Sequence, residues 1–206
     1  MGRIGILGGT FDPPHIGHLV LAEYAAEALD LERVLFVPAA TPPHKLNDVR
    51  TPVEHRLNMV ELAIEGNNRF VLSRVDVDRP GPHYTVDTVA IVQQANPDKE
   101  IYFVMGGDSL RDLPKWNRPA ELIQCCRLLV LQRPNMEPVS PSMHEHILPG
   151  IAERVTILDD PLLGFSSTGI VARLQSGRSI RYMTPERVLA YIHEHQLYRK
   201  YDDTNR

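Results

Sequence analysis

Two histidines, His15 and His18, stand three residues apart in the stretch GGTFDPPHIGHL (8–19), directly after a short apolar run. Imidazoles at this spacing can project from the same end of a helix. The preceding Gly8 and Gly9 let the backbone approach an anion with no Cβ in the way. Because the stretch holds no serine or cysteine to act as a nucleophile, the pattern favours phosphate binding, with the histidines stabilising charge that grows during displacement at phosphorus.

Zinc binding is the competing interpretation of the histidine pair. No third ligand follows at a recognisable spacing, HExxH is absent, and HEH (144–146) and His193 with His195 complete no site. The phosphate-binding patterns GxGxxG and GxxxxGK[ST] are absent from the stretch as well. A helix start carrying two solvated histidines is the structural alternative.

Composition limits the class of protein that can carry this stretch. The chain has 206 residues, is 43% hydrophobic and has a net charge of −4. It therefore lacks the excess of positive charge typical of proteins that bind nucleic acid or an anionic membrane. Cys125 and Cys126 are adjacent, which excludes a disulfide framework. No apolar run approaches the ~18 residues of a membrane span. We therefore expect one cytoplasmic domain (1–206), a possible homo-oligomer, with neither nucleic acid nor membrane as a partner.

Short apolar runs alternate with helical patterns along the chain. The runs are rich in β-branched residues or leucine, as in strands covered on both faces: 4–7, 34–37, 70–77, 101–105, 127–132 and 155–158. Helical spacing recurs from Leu19 to Leu29 and over 52–65 and 84–95. This alternation predicts an α/β fold, a doubly wound, mostly parallel Rossmann-like sheet with helices on both faces. A small C-terminal helical segment follows, over 166–206.

Doubly wound sheets bind ligands at the carboxyl ends of their strands, where several candidate residues lie. Thr85 opens a helix whose free N–H groups can receive a carboxylate. Asp108 and Arg133 each follow an apolar run, and the planar donor fork of Arg133 suits phosphates. Lys45, in the proline-rich loop PAATPPHK, is a mobile cation. The structural alternatives are a helix cap for Asp108, a solvated lysine, and core packing for Trp116.

Several ordered motifs together resemble the HxGH nucleotidyltransferase superfamily, and within it the bacterial nicotinate mononucleotide adenylyltransferases. The resemblance extends over nearly the whole chain, through GGTFDPPHIGHL, PPHK, HRLNM, YTVDT, GGDSLRDLPKW, FSSTGI and GRSIRYMTPERVLAYI. It implies transfer of AMP from ATP to nicotinate mononucleotide, giving deamido-NAD (nicotinate adenine dinucleotide) and pyrophosphate, with Mg²⁺ on the ATP phosphates and no dedicated metal-binding residues.

The resemblance also assigns roles to residues. His15 and His18 are the catalytic pair; the acceptor is expected to contact Lys45, Thr85, Asp108 and Trp116. The residues expected to bind ATP and its phosphates are Gly8, Gly9, Thr10, Phe11, Arg133, Ser166, Ser167 and Thr168. Trp116 would stack on the pyridine ring, and Asp108 would bond to a nucleotide sugar.

One residue departs from the family pattern. FSSTGIV resembles the phosphate-binding ISSTxIR motif, but Val171 stands at its arginine position. Arg173 lies about 200° further round the helix and cannot simply replace that arginine. Two alternatives therefore stay open: an adenylyltransferase for another acceptor, such as nicotinamide mononucleotide or phosphopantetheine, and a nucleotide-binding protein with impaired turnover.

Overall fold

A six-stranded parallel sheet forms the centre of the molecule. The computed structural model describes residues 2–40, 51–132, 137–159 and 164–199. The strands are β1 Gly2–Gly9, β2 Arg33–Pro38, β3 Phe70–Leu72, β4 Lys99–Gly106, β5 Arg127–Gln132 and β6 Val155–Asp159. Their order is β3-β2-β1-β4-β5-β6 and every neighbouring pair is parallel. The order reverses between β1 and β4, which is where doubly wound sheets bind ligands.

Helices connect the strands and confirm the predicted α/β alternation. Within the described residues they are α1 Ile16–Leu29, α2 Val53–Ile64, α3 Thr85–Ala95, α4 Gly107–Asp112, α5 Pro119–Cys125, α6 Ser167–Gln175 and α7 Glu186–Glu194. Two 3₁₀ turns, Leu113–Lys115 and Ile151–Glu153, complete the regular structure. None of these helices is long and apolar enough to cross a membrane.

The third apolar run forms a shorter strand than its sequence predicts. β3 ends at Leu72, and the chain then turns, with the N–H groups of Val77 and Asp78 both donating to the carbonyl of Arg74. β3 lies at the edge of the sheet and pairs only with β2, so no second neighbour holds residues 73–77 in the sheet. The turn frees Asp76 to point at α3, where it is buried against Thr88.

Two apolar clusters cover the two faces of the sheet. Alternate residues of β4 divide between them: Ile101, Phe103 and Met105 pack with α3 and α5, whereas Tyr102 and Val104 pack with α1 and α2. This alternation follows from the two-residue period of a strand. Both faces are therefore buried, which explains why the strands read as continuous apolar runs.

A third cluster attaches the C-terminal helices to the sheet domain. Met59 and Ala63 of α2 pack against Ile170 of α6 and against Val188 and Ile192 of α7. The apolar spacing of α7 therefore buries one face on α2. The C-terminal segment thus lies beside the helix that follows β2.

Candidate active site

A cleft of about 810 Å³ opens at the carboxyl ends of β1 and β4. Its volume lies within the range of pockets that enclose small organic ligands and cofactors. Seven of the residues predicted for the site line it, and they come from three regions of the sequence: Gly8, Gly9, Thr10, His18, Thr85, Asp108 and Trp116. The parallel topology brings these regions together because β1 and β4 are neighbours in the sheet.

The turn after β1 is shaped around a buried aromatic ring. Phe11 is 1% exposed and has φ of 49°, a left-handed conformation that turns the chain sharply before α1. A Cβ on Gly9 would lie 3.0 Å from the Phe11 ring, so only glycine fits there without displacing the ring. Because the Phe11 side chain is buried, any phosphate contact of Phe11 would have to use its backbone.

His18 faces the cleft, and one of its two ring nitrogens already accepts a hydrogen bond within the protein. The backbone N–H of His15 donates to Nδ1 of His18 at 3.1 Å. Burial and then the nearby His15 lower the pKa of His18 to about 3, so its ring is neutral at pH 7. Since Nδ1 accepts a bond, the single ring proton belongs on Nε2. His18 thus offers the cleft an uncharged N–H donor.

His15 is buried, whereas His18 faces the cleft. The two imidazoles are stacked, with centroids 3.7 Å apart and planes 21° from parallel. His15 is 7% exposed and is not among the described residues that line the cleft. The sequence predicted that both rings would project into the site, but the stack presents His18 to the cleft and buries His15.

Arg56, which the sequence predicts to be a helix-surface charge with a phosphate contact as the alternative, is a buried arginine that joins two strand ends at the site. Arg56 on α2 is 2% exposed and donates to three carbonyls: Thr10 at 2.8 Å, Ala39 at 2.9 Å and Thr51 at 3.1 Å. Thr10 and Ala39 follow β1 and β2, so one guanidinium joins the ends of both strands. The helical pattern of residues 52–65 does not indicate this burial, because every residue has a carbonyl and the sequence does not show which carbonyls a side chain will bind.

The other end of the cleft is formed by α3 and the segment after α4. Thr85 is the first residue of α3, so its N-terminal N–H groups border the cleft as predicted. The partly buried ring of Trp116 stands nearly perpendicular to Phe103, at 86° and 6.0 Å between centroids. Trp116 therefore packs on the core and lines the cleft at once.

A buried polar cluster beside Thr85 was also missed. Asp76 accepts from Thr88 Oγ1 at 2.6 Å and from Arg79 Nη2 at 2.9 Å. Nε2 of His83 donates to the carbonyl of Arg79 at 3.0 Å, and His83 lines the cleft with Asp76 and Thr88. Little in the sequence indicates this cluster, because Asp76 falls within the third apolar run and reads as part of a strand.

Asp108 lies at the strand end where the sequence placed it. It is the second residue of α4, after Gly106 as the N-cap, so it does not cap the helix. Its carboxylate is 59% exposed and pairs with Arg111 at 2.9 Å. Arg111 is bonded to Oδ1, so Oδ2 of this exposed carboxylate can accept a hydrogen bond from a sugar hydroxyl.

The start of α6 uses its hydroxyl groups within the protein. Ser166 is the N-cap and accepts from the N–H of Gly169 at 3.1 Å. Ser167 donates to the carbonyl of Pro13 at 2.9 Å. Arg173 donates to the carbonyl of Ser179, so it does not stand in for the arginine absent at Val171. Thr168 is exposed. Because the hydroxyl groups of Ser166 and Ser167 are bonded within the protein, their predicted phosphate contacts would have to use the backbone N–H groups at the helix N-terminus.

Two predicted site residues, Lys45 and Arg133, lie outside the described residues. Within the described part of the chain, no group of three or more His, Cys, Asp or Glu side chains is placed to hold a metal ion.

Comparison with known proteins agrees with the motifs of the sequence. The cytidylyltransferase-like family model matches residues 6–173. The probable nicotinate-nucleotide adenylyltransferase of Thermomicrobium roseum is 45% identical over 97% of this chain and 92% of its own length. The corresponding protein of Roseiflexus sp. (strain RS-1) is 42% identical over 95% of this chain and 98% of its own.

The fold is also found in a solved structure of low sequence identity. The nicotinic acid mononucleotide adenylyltransferase of Plasmodium falciparum, complexed with NaAD, superposes with a TM-score of 0.78 at 18% identity, over 96% of this chain and 98% of that one. At this identity the likeness concerns the fold alone. The family model and the two bacterial relatives show that the chain belongs to the cytidylyltransferase-like family and, within it, to the nicotinate-nucleotide adenylyltransferases.

Proposed function

We propose that this protein transfers AMP from ATP to nicotinate mononucleotide, a step of NAD biosynthesis. A phosphate oxygen of the mononucleotide attacks the α-phosphorus of ATP, the bond to the β-phosphate oxygen breaks, and pyrophosphate leaves with that oxygen. The observation that carries the proposal is a single cleft that joins the His18 donor to the start of α3 and to Trp116.

The reaction needs alignment and charge stabilisation and no protein nucleophile. The acceptor phosphate is already an anion, so the protein has to hold two nucleotides for in-line attack. Negative charge grows on the oxygens around the α-phosphorus as the bonds exchange. The Nε2–H of His18 is a fixed donor for that charge, supported by the His15 N–H bond at its Nδ1. Because Nδ1 of His18 already accepts a hydrogen bond, the neutral ring has no free lone pair for a general base and contributes as a hydrogen-bond donor.

The start of α3 and Trp116 suit a pyridine carboxylate. The N-terminal N–H groups of α3 at Thr85 are donors at the positive end of a helix dipole, which favours an anion over a neutral amide. Trp116 supplies an aromatic face beside them for the pyridine ring. Asp108, exposed at the same edge, would accept from a sugar hydroxyl.

The ATP phosphates would lie on the turn after β1. Backbone N–H groups of Gly8 to Phe11 and the start of α6 at Ser166 to Thr168 would hold them, together with Lys45 and Arg133. Mg²⁺ would enter bound to the ATP phosphates as part of the substrate and offset charge on the leaving pyrophosphate.

A panel of acceptors tests the proposal. Purified protein with Mg²⁺ and ATP would receive nicotinate mononucleotide, nicotinamide mononucleotide or phosphopantetheine, and pyrophosphate release would be followed. We expect the highest kcat/KM with nicotinate mononucleotide, because only that acceptor brings a carboxylate to α3. A clear preference for phosphopantetheine would contradict the proposal. If the protein binds ATP but releases no pyrophosphate with any acceptor, while Val171→Arg restores release, the chain has kept a binding site and lost turnover.

A further inference from the structure

Four hydrogen bonds join the turn before α1 to the C-terminal part of the chain. We call residues 12–16, which lead into the HxGH motif at residues 15–18, the HxGH turn. Ser167 Oγ donates to the carbonyl of Pro13 and Thr184 Oγ1 to that of Pro14, each at 2.9 Å. The N–H of Ile16 donates to the carbonyl of Met183 at 2.9 Å, and the hydroxyl of Tyr198 donates to Oδ1 of Asp12.

These bonds supply hydrogen-bond partners that the HxGH turn lacks within itself. Pro13 and Pro14 are buried and carry no N–H, so the turn has acceptors without neighbouring donors. A buried carbonyl left without a partner is costly. The N–H of Ile16 belongs to the first turn of α1 and has no acceptor within its own helix. Hydroxyls and a carbonyl from more than 150 residues further along the chain supply all three partners.

Asp12 connects the HxGH turn to two distant segments at once. Its Oδ2 accepts from the N–H of Thr51 at 3.1 Å, while its Oδ1 accepts from Tyr198. Burial and the neighbouring Asp12 raise the pKa of Tyr198, so the phenol stays protonated and donates at every physiological pH. The carboxylate is therefore held from both sides by fixed donors.

We infer that Thr184 and Tyr198 are positioning residues for the reaction, acting through the HxGH turn on His15 and His18. This inference rests on the proposed function. Thr184 holds the carbonyl of Pro14, the residue directly before His15. The N–H of His15 in turn fixes Nδ1 of His18, and hence the direction of the Nε2–H donor. A displacement of Pro14 or Asp12 is transmitted through this short path to the imidazole of His18, which faces the cleft.

Removal of single hydroxyl groups tests the inference. We expect Tyr198→Phe and Thr184→Val each to lower kcat roughly tenfold or more, because small displacements of a catalytic donor are costly. The KM values for ATP and nicotinate mononucleotide should change little, since neither residue is among those that line the cleft. Thr184→Ser restores the hydroxyl and should recover most of the lost kcat.

Tyr191→Phe is the matched control. Tyr191 also belongs to the C-terminal part of the chain and its hydroxyl is bonded to His55 at 2.8 Å and Asn58 at 3.0 Å, on α2 and away from the HxGH turn. This variant loses hydroxyl contacts of the same kind, so it should lose comparable stability. Its kcat should stay within about twofold of the wild type.

A spectroscopic measurement separates this inference from the proposed function. The ring-nitrogen resonances of ¹⁵N-labelled His18 report the bond at Nδ1 without any substrate. We expect them to move in Tyr198→Phe and Thr184→Val and to stay unchanged in Tyr191→Phe. Unmoved resonances, or equal kcat losses in all three variants, would overturn the positioning role. A wild type that releases no pyrophosphate would overturn the proposed function, while the resonances would still decide the positioning role.

Discussion

The starts of α1 and α6 look alike in the sequence and differ in the structure. Both follow a loop with glycine and hydroxyl residues, and both suggest a phosphate site at a helix N-terminus. At α1, His18 faces the cleft with a free donor position. At α6, Ser166 caps its own helix and Ser167 supports the carbonyl of Pro13. The second helix start thus serves the first.

The difference teaches that a hydroxyl near a helix N-terminus has competing uses. Capping satisfies a backbone N–H of the same helix and contributes about 1 kcal/mol in typical proteins. A serine that caps or braces can still offer its backbone to a ligand, but its side chain is committed. The imidazole of His18 also accepts a backbone N–H at its helix start, but its second ring nitrogen can still donate to a ligand.

Removing the donor at α1 should have the largest effect. We expect His18→Ala to lower kcat by roughly 10²–10³, the range found when one donor to a growing negative charge is deleted. Steady-state pyrophosphate release measures this, with unfolding in urea as the check on folding. His146→Ala, at an exposed position, is the control and should stay within about twofold. An unchanged kcat in His18→Ala would remove the distinction between the two helix starts.

The same variant should also alter how stability depends on pH. The pKa of His18 is about 3 in the folded protein, below its ordinary value of 6.5. Between these values the unfolded chain binds a proton that the folded protein excludes, so stability falls as pH falls. The free energy of unfolding of the wild type should drop relative to His18→Ala below pH 6.5, by up to about 1.4 kcal/mol per pH unit. Urea unfolding at pH 7, 6, 5 and 4 measures the difference; a constant difference would show that folded His18 takes up the proton.

An arginine at the second helix start should have a smaller effect. Val171→Arg places a donor fork on α6, where Arg173 is engaged by the carbonyl of Ser179. We expect a severalfold rise in kcat/KM for ATP and no change in KM for the acceptor. Val171→Gln is the uncharged control. If both variants match the wild type, the start of α6 acts only as a support for the HxGH turn.

Loss of the cap at α6 should have the smallest effect. Ser166→Ala removes the acceptor for the N–H of Gly169 and should lower the free energy of unfolding by about 1 kcal/mol. Ser166→Asn, which also caps well, should retain that stability. Urea unfolding measures both variants. A large loss of kcat at unchanged stability would show instead that the hydroxyl binds substrate.

The sheet and the position of the cleft could be predicted because both depend on local patterns. Continuous apolar runs mark strands buried on two faces, and doubly wound sheets bind ligands at the carboxyl ends of their strands, where the strand order reverses, which here is between β1 and β4. Those rules alone place His18, Thr85 and Trp116 at one edge.

Two features of the site could not be predicted: the carbonyl partners of Arg56 and the early end of β3 that turns Asp76 towards α3. Arg56 reads as a helix-surface charge, yet it is buried on three carbonyls. Asp76 reads as part of a strand, yet an edge position ends that strand at Leu72. Carbonyl groups are present at every residue, so the sequence does not show which of them a side chain will bind.

The bond from Tyr198 to Asp12 has a consequence for synthesis of the protein. Asp12 leaves the ribosome 186 residues before Tyr198. The HxGH turn can therefore acquire its full set of bonds only after Tyr198 has emerged. A nascent chain ending before Thr184 would hold the histidines without two of the hydroxyls that orient them, so the orientation of His18 is completed late in synthesis.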